Sequence, residues 1–422
     1  MTAISAGRAS LVPWSMFAAL IAAAGLPIYI HAPKFYADTY AVNLAALGGA
    51  LALLRLIDVV QDPVLGWLAE VMRARRGMLV AGATALMAMA MFGLFAIVPP
   101  IAPLLWFALM LTGLFSGFSF LTIAFYAQGV EKAGELGPDG HLRLAGWRET
   151  GALVGVSFAA VAPIALAGLT DRPFVAFAAG FAVLAVLAGF VMRDNWTTTG
   201  PARAQSPTFR STLAVFRPAL TDRRASRLLL LALVNSAPVA VTSTLFLFFV
   251  ESRLALPGTE GAFLLLFFVS AAASTPVWSR LARRWGERRI LSVGMTLSIA
   301  SFLWALLLGP GQWGAFAVIS AASGAALGAD MVMLPAMFAR RLAQIGQGGE
   351  SAAFGLWSFV SKLSLALAAA TLLPALAAVG FVSGAGNSPA SLDTLALLYA
   401  GLPCALKALA LIMLTFLLPD EE

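Results

Sequence analysis

Read for hydropathy alone, the chain is a succession of apolar runs of about 20 residues, each closed by Gly, Pro or a small cluster of charge. The runs fall near 11–30, 41–68, 78–98, 103–128, 145–168, 173–192, 228–250, 260–282, 289–309, 313–338, 352–378 and 391–418, numbered here spans 1 to 12. Runs of this length predict helices rather than the shorter alternating strands of a membrane barrel. The expected class is an all-α integral membrane protein with twelve transmembrane helices.

Composition agrees: 60% of the 422 residues are hydrophobic and 11% charged, against about a quarter charged in a soluble domain. The net charge of +7 does not point to nucleic acid, because the arginines sit in short connections between spans, where they report topology. Arg73, Arg75 and Arg76 follow span 2, Arg193 to Arg227 follow span 6, Arg280 to Arg289 follow span 8, and Arg340 and Arg341 follow span 10. The odd-numbered connections are almost free of Lys and Arg, so both termini are expected in the cytoplasm. No cleavable leader is evident in the start of the chain. The single cysteine, Cys404, lies in span 12, excludes an internal disulfide and reads as a packing residue.

The longest linker, 194–227, divides the chain into two bundles of six spans, residues 1–193 and 228–422. A short basic turn follows the second helix of each, after Trp67 and after Trp278. Twelve spans with such turns predict the major facilitator superfamily fold of two six-helix halves.

Span 2 interrupts its apolar pattern with Arg55, Asp58 and Asp62. At about 100° per residue these fall, with Gly66, on one narrow face, so the charges form a stripe that protein or a water-filled cavity must shield. Each costs about 2.5 to 3.5 kcal/mol at mid-span, while each Leu, Ile or Val returns about 0.3 to 0.6. The segment therefore needs neighbouring helices. Intramembrane ionisable groups mark ion or substrate pathways; the alternative is a buried salt bridge that fixes helix register.

The run Arg55, Asp58, Gln61, Asp62, Pro63, Gly66 and Trp67 resembles span 2 of the glycoside-pentoside-hexuronide:cation symporter family. Glu350, Gly355, Trp357, Ser361 and Lys362 in span 11, and Trp147, Arg148 and Gly155 in span 5, extend the likeness over both halves. The resemblance implies that Asp58 and Asp62 bind a coupling Na⁺ or H⁺, with Gln61 supplying an amide and Ser119 of span 4 a hydroxyl. Two carboxylates one turn apart suit this independently, since hard cations take several oxygens and neighbouring acids can share a proton. The chain has Gln61 where the family usually has Asn, which leaves Na⁺ and H⁺ both open. It also has no acid in span 1, where Ala22 falls at the family's sugar-binding position, and it has Thr122 at the position of a second acid in span 4. The likeness thus speaks more for coupling than for substrate.

The remaining polar groups in the spans are candidates for substrate binding or a charge network. Arg148 and Glu149 open span 5, and Arg148 either reaches the cavity or snorkels to the interface. Lys362 lies too deep in span 11 to be an end anchor and is expected to face the acids or the solute. Trp357 either stacks on a sugar face or packs between helices. Asp330 of span 10 either completes a charge network with Lys362 or Arg148 or pairs structurally, and Tyr126 either lines the cavity or joins helices. Lys407 of span 12 is as consistent with a structural ion pair as with function. Arg55, Arg148, Lys362 and Lys407 balance Asp58, Asp62, Glu149 and Asp330.

The expected function is cation-coupled symport of a small solute, most simply a sugar- or glycoside-like molecule, by a monomer in the lipid bilayer. The alternatives are transport of a lysophospholipid-like anionic amphiphile, or proton-coupled export. No nucleophile with a positioned base, metal cluster or nucleotide loop is present in the sequence, so neither an enzyme nor a resident cofactor is expected.

Overall fold

The computed structural model of the protein describes residues 11–26, 30–136, 140–196, 220–345, 350–384 and 386–418. Every expected span has its helix among them. Spans 1 to 6 are Val12–Leu26, Leu44–Val71, Arg76–Ala96, Pro103–Glu135, Gly140–Ala167 and Pro173–Met192. Spans 7 to 11 are Arg223–Phe248, Glu260–Trp285, Glu287–Ala305, Trp313–Ile345 and Glu350–Ala378. Span 12 runs from Pro389 to Leu417, with one π turn, Leu397–Gly401, inside it. A short helix, Ala32–Tyr40, stands between spans 1 and 2. Among the described residues, eight helices are long and apolar enough to cross a membrane by length and composition.

The surface is inverted relative to that of a soluble protein. In span 2, Leu53 and Leu56 are 60% and 59% exposed, whereas Arg55 and Asp58 of the same turns are buried. With lipid as solvent, apolar side chains lose nothing by facing out, and charges must face in. The stripe read from the sequence is the buried face.

Helix packing rests on small residues, as expected where lipid competes for every apolar contact. Gly151 and Gly155 of span 5 lie one turn apart against span 1, and a Cβ on either would collide with the carbonyl oxygen of Ser15 or Ala19. Gly324 and Gly328 of span 10 meet span 8 in the same way at Phe267 and Ala271. The closeness brings Trp278 Nε1 of span 8 within 2.7 Å of the Ala325 carbonyl, to which it donates, and gives the Ser274 hydroxyl two acceptors in reach, the carbonyls of Ala271 at 2.9 Å and Ala325 at 3.1 Å. Spans 5, 7, 8, 10 and 11 continue as single helices through Pro163, Pro238, Pro276, Pro335 and Pro374.

The described chain groups into two compact units. The first holds residues up to Pro27 with Gln61–Val98 and Leu109–Ser206; the second holds Ile28–Val60, Pro99–Ala108 and the chain from Pro207 onward. Span 2 thus contributes to both. Most of the 194–227 linker lies outside the described residues. The core of the second unit is an apolar cluster drawn from spans 7, 9, 10, 11 and 12, including Leu228, Leu291, Phe338 and Leu414.

Candidate functional site

In the second unit, Arg55 Nη1 donates to Asp58 Oδ2 at 2.5 Å, with the side chains 4% and 2% exposed. Residues three apart on a helix are neighbours, so span 2 supplies both partners and no second helix is needed to neutralise the acid. Such a pair offsets only part of its own desolvation, but each partner alone would be far costlier.

In the first unit, Gln61 and Asp62 are half-buried. Ser116 of span 4 has one hydroxyl proton and two acceptors in reach, Gln61 Oε1 at 3.1 Å and the Thr112 carbonyl at 2.7 Å. Gln61 Nε2 is buried without a hydrogen-bond partner among the described residues, a donor that calls for an acceptor. Ser119 is buried one turn beyond Ser116. Thr122 gives its proton to the Phe118 carbonyl at 2.7 Å. The Arg148 guanidinium stands 4.3 Å from the centroid of the Tyr126 ring, a cation–π arrangement between spans 5 and 4. The side chain of Glu149 lies outside the described residues, as do those of Ser358 and Ser361.

Asp330 meets Lys407 rather than Lys362 or Arg148, the structural pairing of the two readings. Lys407 is buried, and its ammonium contacts Asp330 Oδ2 and donates to Asn235 Oδ1 at 2.7 Å. An ammonium at that depth needs an anion and further acceptors, and spans 7, 10 and 12 supply them together. Asp330 Oδ1 keeps no hydrogen bond of its own among the described residues. Lys362 is half-buried just before the middle of span 11. Trp357 tilts against Phe338 at 5.2 Å beside the apolar core, the packing alternative of the two weighed above.

Three features escaped the sequence reading. Ser116 is the span-4 hydroxyl that reaches Gln61; nothing in a single sequence separates it from Ser119 three residues on. Arg76, counted there as a loop arginine, is buried, and its Nη1 donates to Gln128 Oε1 at 2.6 Å. The signal was Gln128, an amide at the very end of span 4 as read from the sequence. Lys34, in a connection thought nearly free of basic residues, pairs with Asp38 at 2.6 Å and with Glu251 at the end of span 7. Burial lowers the Lys34 pKa, but the hydrogen bonds to Asp38 and Glu251 more than offset it and leave the group raised.

Outside the spans, Asp222 caps span 7 by accepting from the Ala225 amide at 2.7 Å, and it binds Arg341 through both oxygens at 3.0 and 2.7 Å. The Arg341 hydrogen bonds, more than the cap, hold its carboxyl at about 2. In the second unit a cavity of about 50 Å³ lies among Phe246, Phe263, Phe316 and Tyr399. It is too small for a sugar ring and is a gap between aromatic side chains.

A bundle of apolar helices with ion pairs and amide-hydroxyl contacts buried at mid-span defines a multi-pass membrane protein of the transporter class. The chain belongs to the major facilitator family described as MFS/sugar transport protein, whose model matches residues 14–420. The superfamily expected from span count and basic turns is therefore borne out. A search of curated protein sequences gives no significant match. Among solved structures, the nucleoside transporter NupG superposes with a TM-score of 0.71 at 12% identity, covering 96% of this chain and 98% of that one. A bacterial homologue of the human lysosomal transporter Spinster, in an inward-facing and unoccupied conformation, gives 0.66 at 13% identity over 96% and 95%. At these identities the likeness is one of fold.

Proposed function

We propose that the protein is a cation-coupled secondary symporter that carries a sugar- or glycoside-like solute across a bacterial inner membrane by alternating access. The observation that carries this is the pair of carboxylates, Asp58 and Asp62, spaced one turn apart on a single apolar helix. Arg55 acts as a tethered cation on Asp58. An incoming Na⁺ or H⁺ competes for that carboxylate, and Gln61, with Ser116 and Ser119 nearby on span 4, adds neutral oxygens for a metal ion. Displacing Arg55 frees a guanidinium at the same depth, which links cation binding to the solute; by linkage the solute tightens the cation by the same factor.

The family description supports a sugar-like solute, which Arg148, Tyr126, Lys362 and Asp330 are candidates to meet. A lysophospholipid-like amphiphile is the second reading. It is favoured by the absence of an acid at Ala22 and by Thr122 having spent its proton within its own helix. The arginine bias supports cytoplasmic termini, and nothing in the site requires more than a monomer.

The test is gradient-driven uptake into membrane vesicles from a panel of sugars and lysolipids. Asp58→Asn and Asp62→Asn should each abolish dependence on the cation gradient. Gradient-dependent uptake persisting in both would refute the assignment.

A further inference from the structure

Lys34 joins segments that are far apart in the sequence. It lies on the short helix Ala32–Tyr40, between spans 1 and 2, and its ammonium pairs with Glu251 at the end of span 7. The same ammonium donates at 3.4 Å to the hydroxyl of Ser383, in the connection from span 11 to span 12. Each side of this contact is fixed from behind. The Tyr36 ring of the short helix is fully buried 5.0 Å from that of Phe107 near the start of span 4, so the helix is seated on the six-span half it comes from. Glu251 sits in a π turn, Phe249–Arg253, a feature that recurs at functional positions in helices. In that turn the Phe249 ring stacks on Tyr399 of span 12 at 4.1 Å, and Ser252 Oγ donates to the Gly384 carbonyl at 3.1 Å. A second contact joins the two halves at the same end. Gly48, near the start of span 2, faces span 11 so closely that a Cβ there would collide with the Ala369 carbonyl oxygen and press on Leu373 and Pro374. Lys34, Gly48 and Phe107 belong by sequence to the first six spans, yet residues 28–60 and 99–108 group with the second unit. These are the stretches that connect span 1 to span 2 and span 3 to span 4, on the side away from the basic turns.

We propose that Lys34, held by Glu251 and Ser383, is the latch of a gate on that side, and that its release lets span 2 part from span 11 at Gly48. This rests on the alternating-access reading above, in which contacts between the halves at one end must break for that end to open. Asp38 makes the latch reversible. It lies one turn on in the short helix, 2.6 Å from the ammonium, so Lys34 keeps an anion when Glu251 lets go and no buried charge is stranded. Glu251, 26% exposed at the end of its span, is left facing water. Gly48 suits the moving seam, because a helix face without a side chain separates from its neighbour with nothing to unthread.

The test is the rate of maleimide labelling in the seam, on the purified full chain in detergent, with Cys404→Ser to remove the native thiol. Leu373→Cys reports the face of span 11 against Gly48, and Ala369→Cys, a smaller change, is a second reporter. Both should label slowly in the otherwise wild-type chain. Lys34→Met and Glu251→Gln should each speed labelling roughly two- to fivefold, the weight of one ion pair near a surface. Lys34→Arg, which keeps the charge, should stay slow. Asp38→Asn removes the partner within the short helix but leaves Glu251, and should also stay slow. Unchanged labelling in Lys34→Met and Glu251→Gln would overturn the latch, and so would equal acceleration by Asp38→Asn, which would mean that the short helix had merely loosened. Fast labelling of both reporters in the otherwise wild-type chain would overturn it by showing the seam open with the pair in place. Labelling needs neither cation nor solute, so gradient-dependent uptake that persists in Asp58→Asn and Asp62→Asn would refute the coupling site without touching the latch.

Discussion

Asp58 is the residue on which most depends, and its partner is three positions away on the same helix. Removing one member of a buried pair leaves an uncompensated charge, at a cost of about 3 to 5 kcal/mol. Arg55→Gln should therefore lower the thermal midpoint in detergent sharply, and Arg55→Gln with Asp58→Asn should recover much of the loss. A double variant as unstable as the sum of the singles would show that the two do not act as a pair. Asp222 makes a prediction about pH. Its folded pKa of about 2 lies below the ordinary 3.8, so its contribution is full above the unfolded value and is lost as pH falls from about 4 through 2. Stability profiles of wild type and Asp222→Asn should converge over that interval; parallel profiles would contradict the assignment. At this scale the sequence was informative about which groups are buried and less so about their partners. Period alone put Arg55 and Asp58 on one face, but pairing Asp330 with Lys407 depends on how three helices meet, which no local pattern encodes.

The helices themselves were legible because lipid-spanning segments must satisfy their backbone internally and be long enough to cross. What was not legible is how closely they approach. The spacing of Gly151 and Gly155 resembles many glycine pairs, and only the carbonyls of Ser15 and Ala19 make it obligatory. Gly155→Val should sharply reduce the yield of monodisperse protein in size-exclusion chromatography. Gly82→Ala, where nothing lies within 4 Å, should be neutral or gain up to about 1 kcal/mol from helix propensity. Equal behaviour of the two would remove the packing argument. The short helix Ala32–Tyr40 was missed outright, because Lys34, Asp38 and the aromatic residues read as a polar connection. Its anchor is the contact of Lys34 with Glu251. Lys34→Met should speed amide hydrogen exchange across residues 32–40; unchanged exchange would mean that the aromatic packing of Tyr36 holds the helix without it.

For the whole molecule, twelve spans, basic turns and a family model over residues 14–420 agree on a major facilitator transporter. That much follows from composition and period, which are global properties of the chain. The solute does not follow from them, since it depends on a few side chains whose family positions this chain has changed, at Ala22, Gln61 and Thr122. Coupling is the central claim, and it can be read without knowing the solute, because a cation that binds the folded protein raises its midpoint. The direct measurement is the thermal midpoint of the purified protein in Na⁺ or Li⁺ against choline at constant ionic strength, repeated across a pH series. A cation- or proton-dependent shift is expected in the wild type, and Asp58→Asn and Asp62→Asn should each remove it; a shift that survives in both would contradict coupling at these carboxylates.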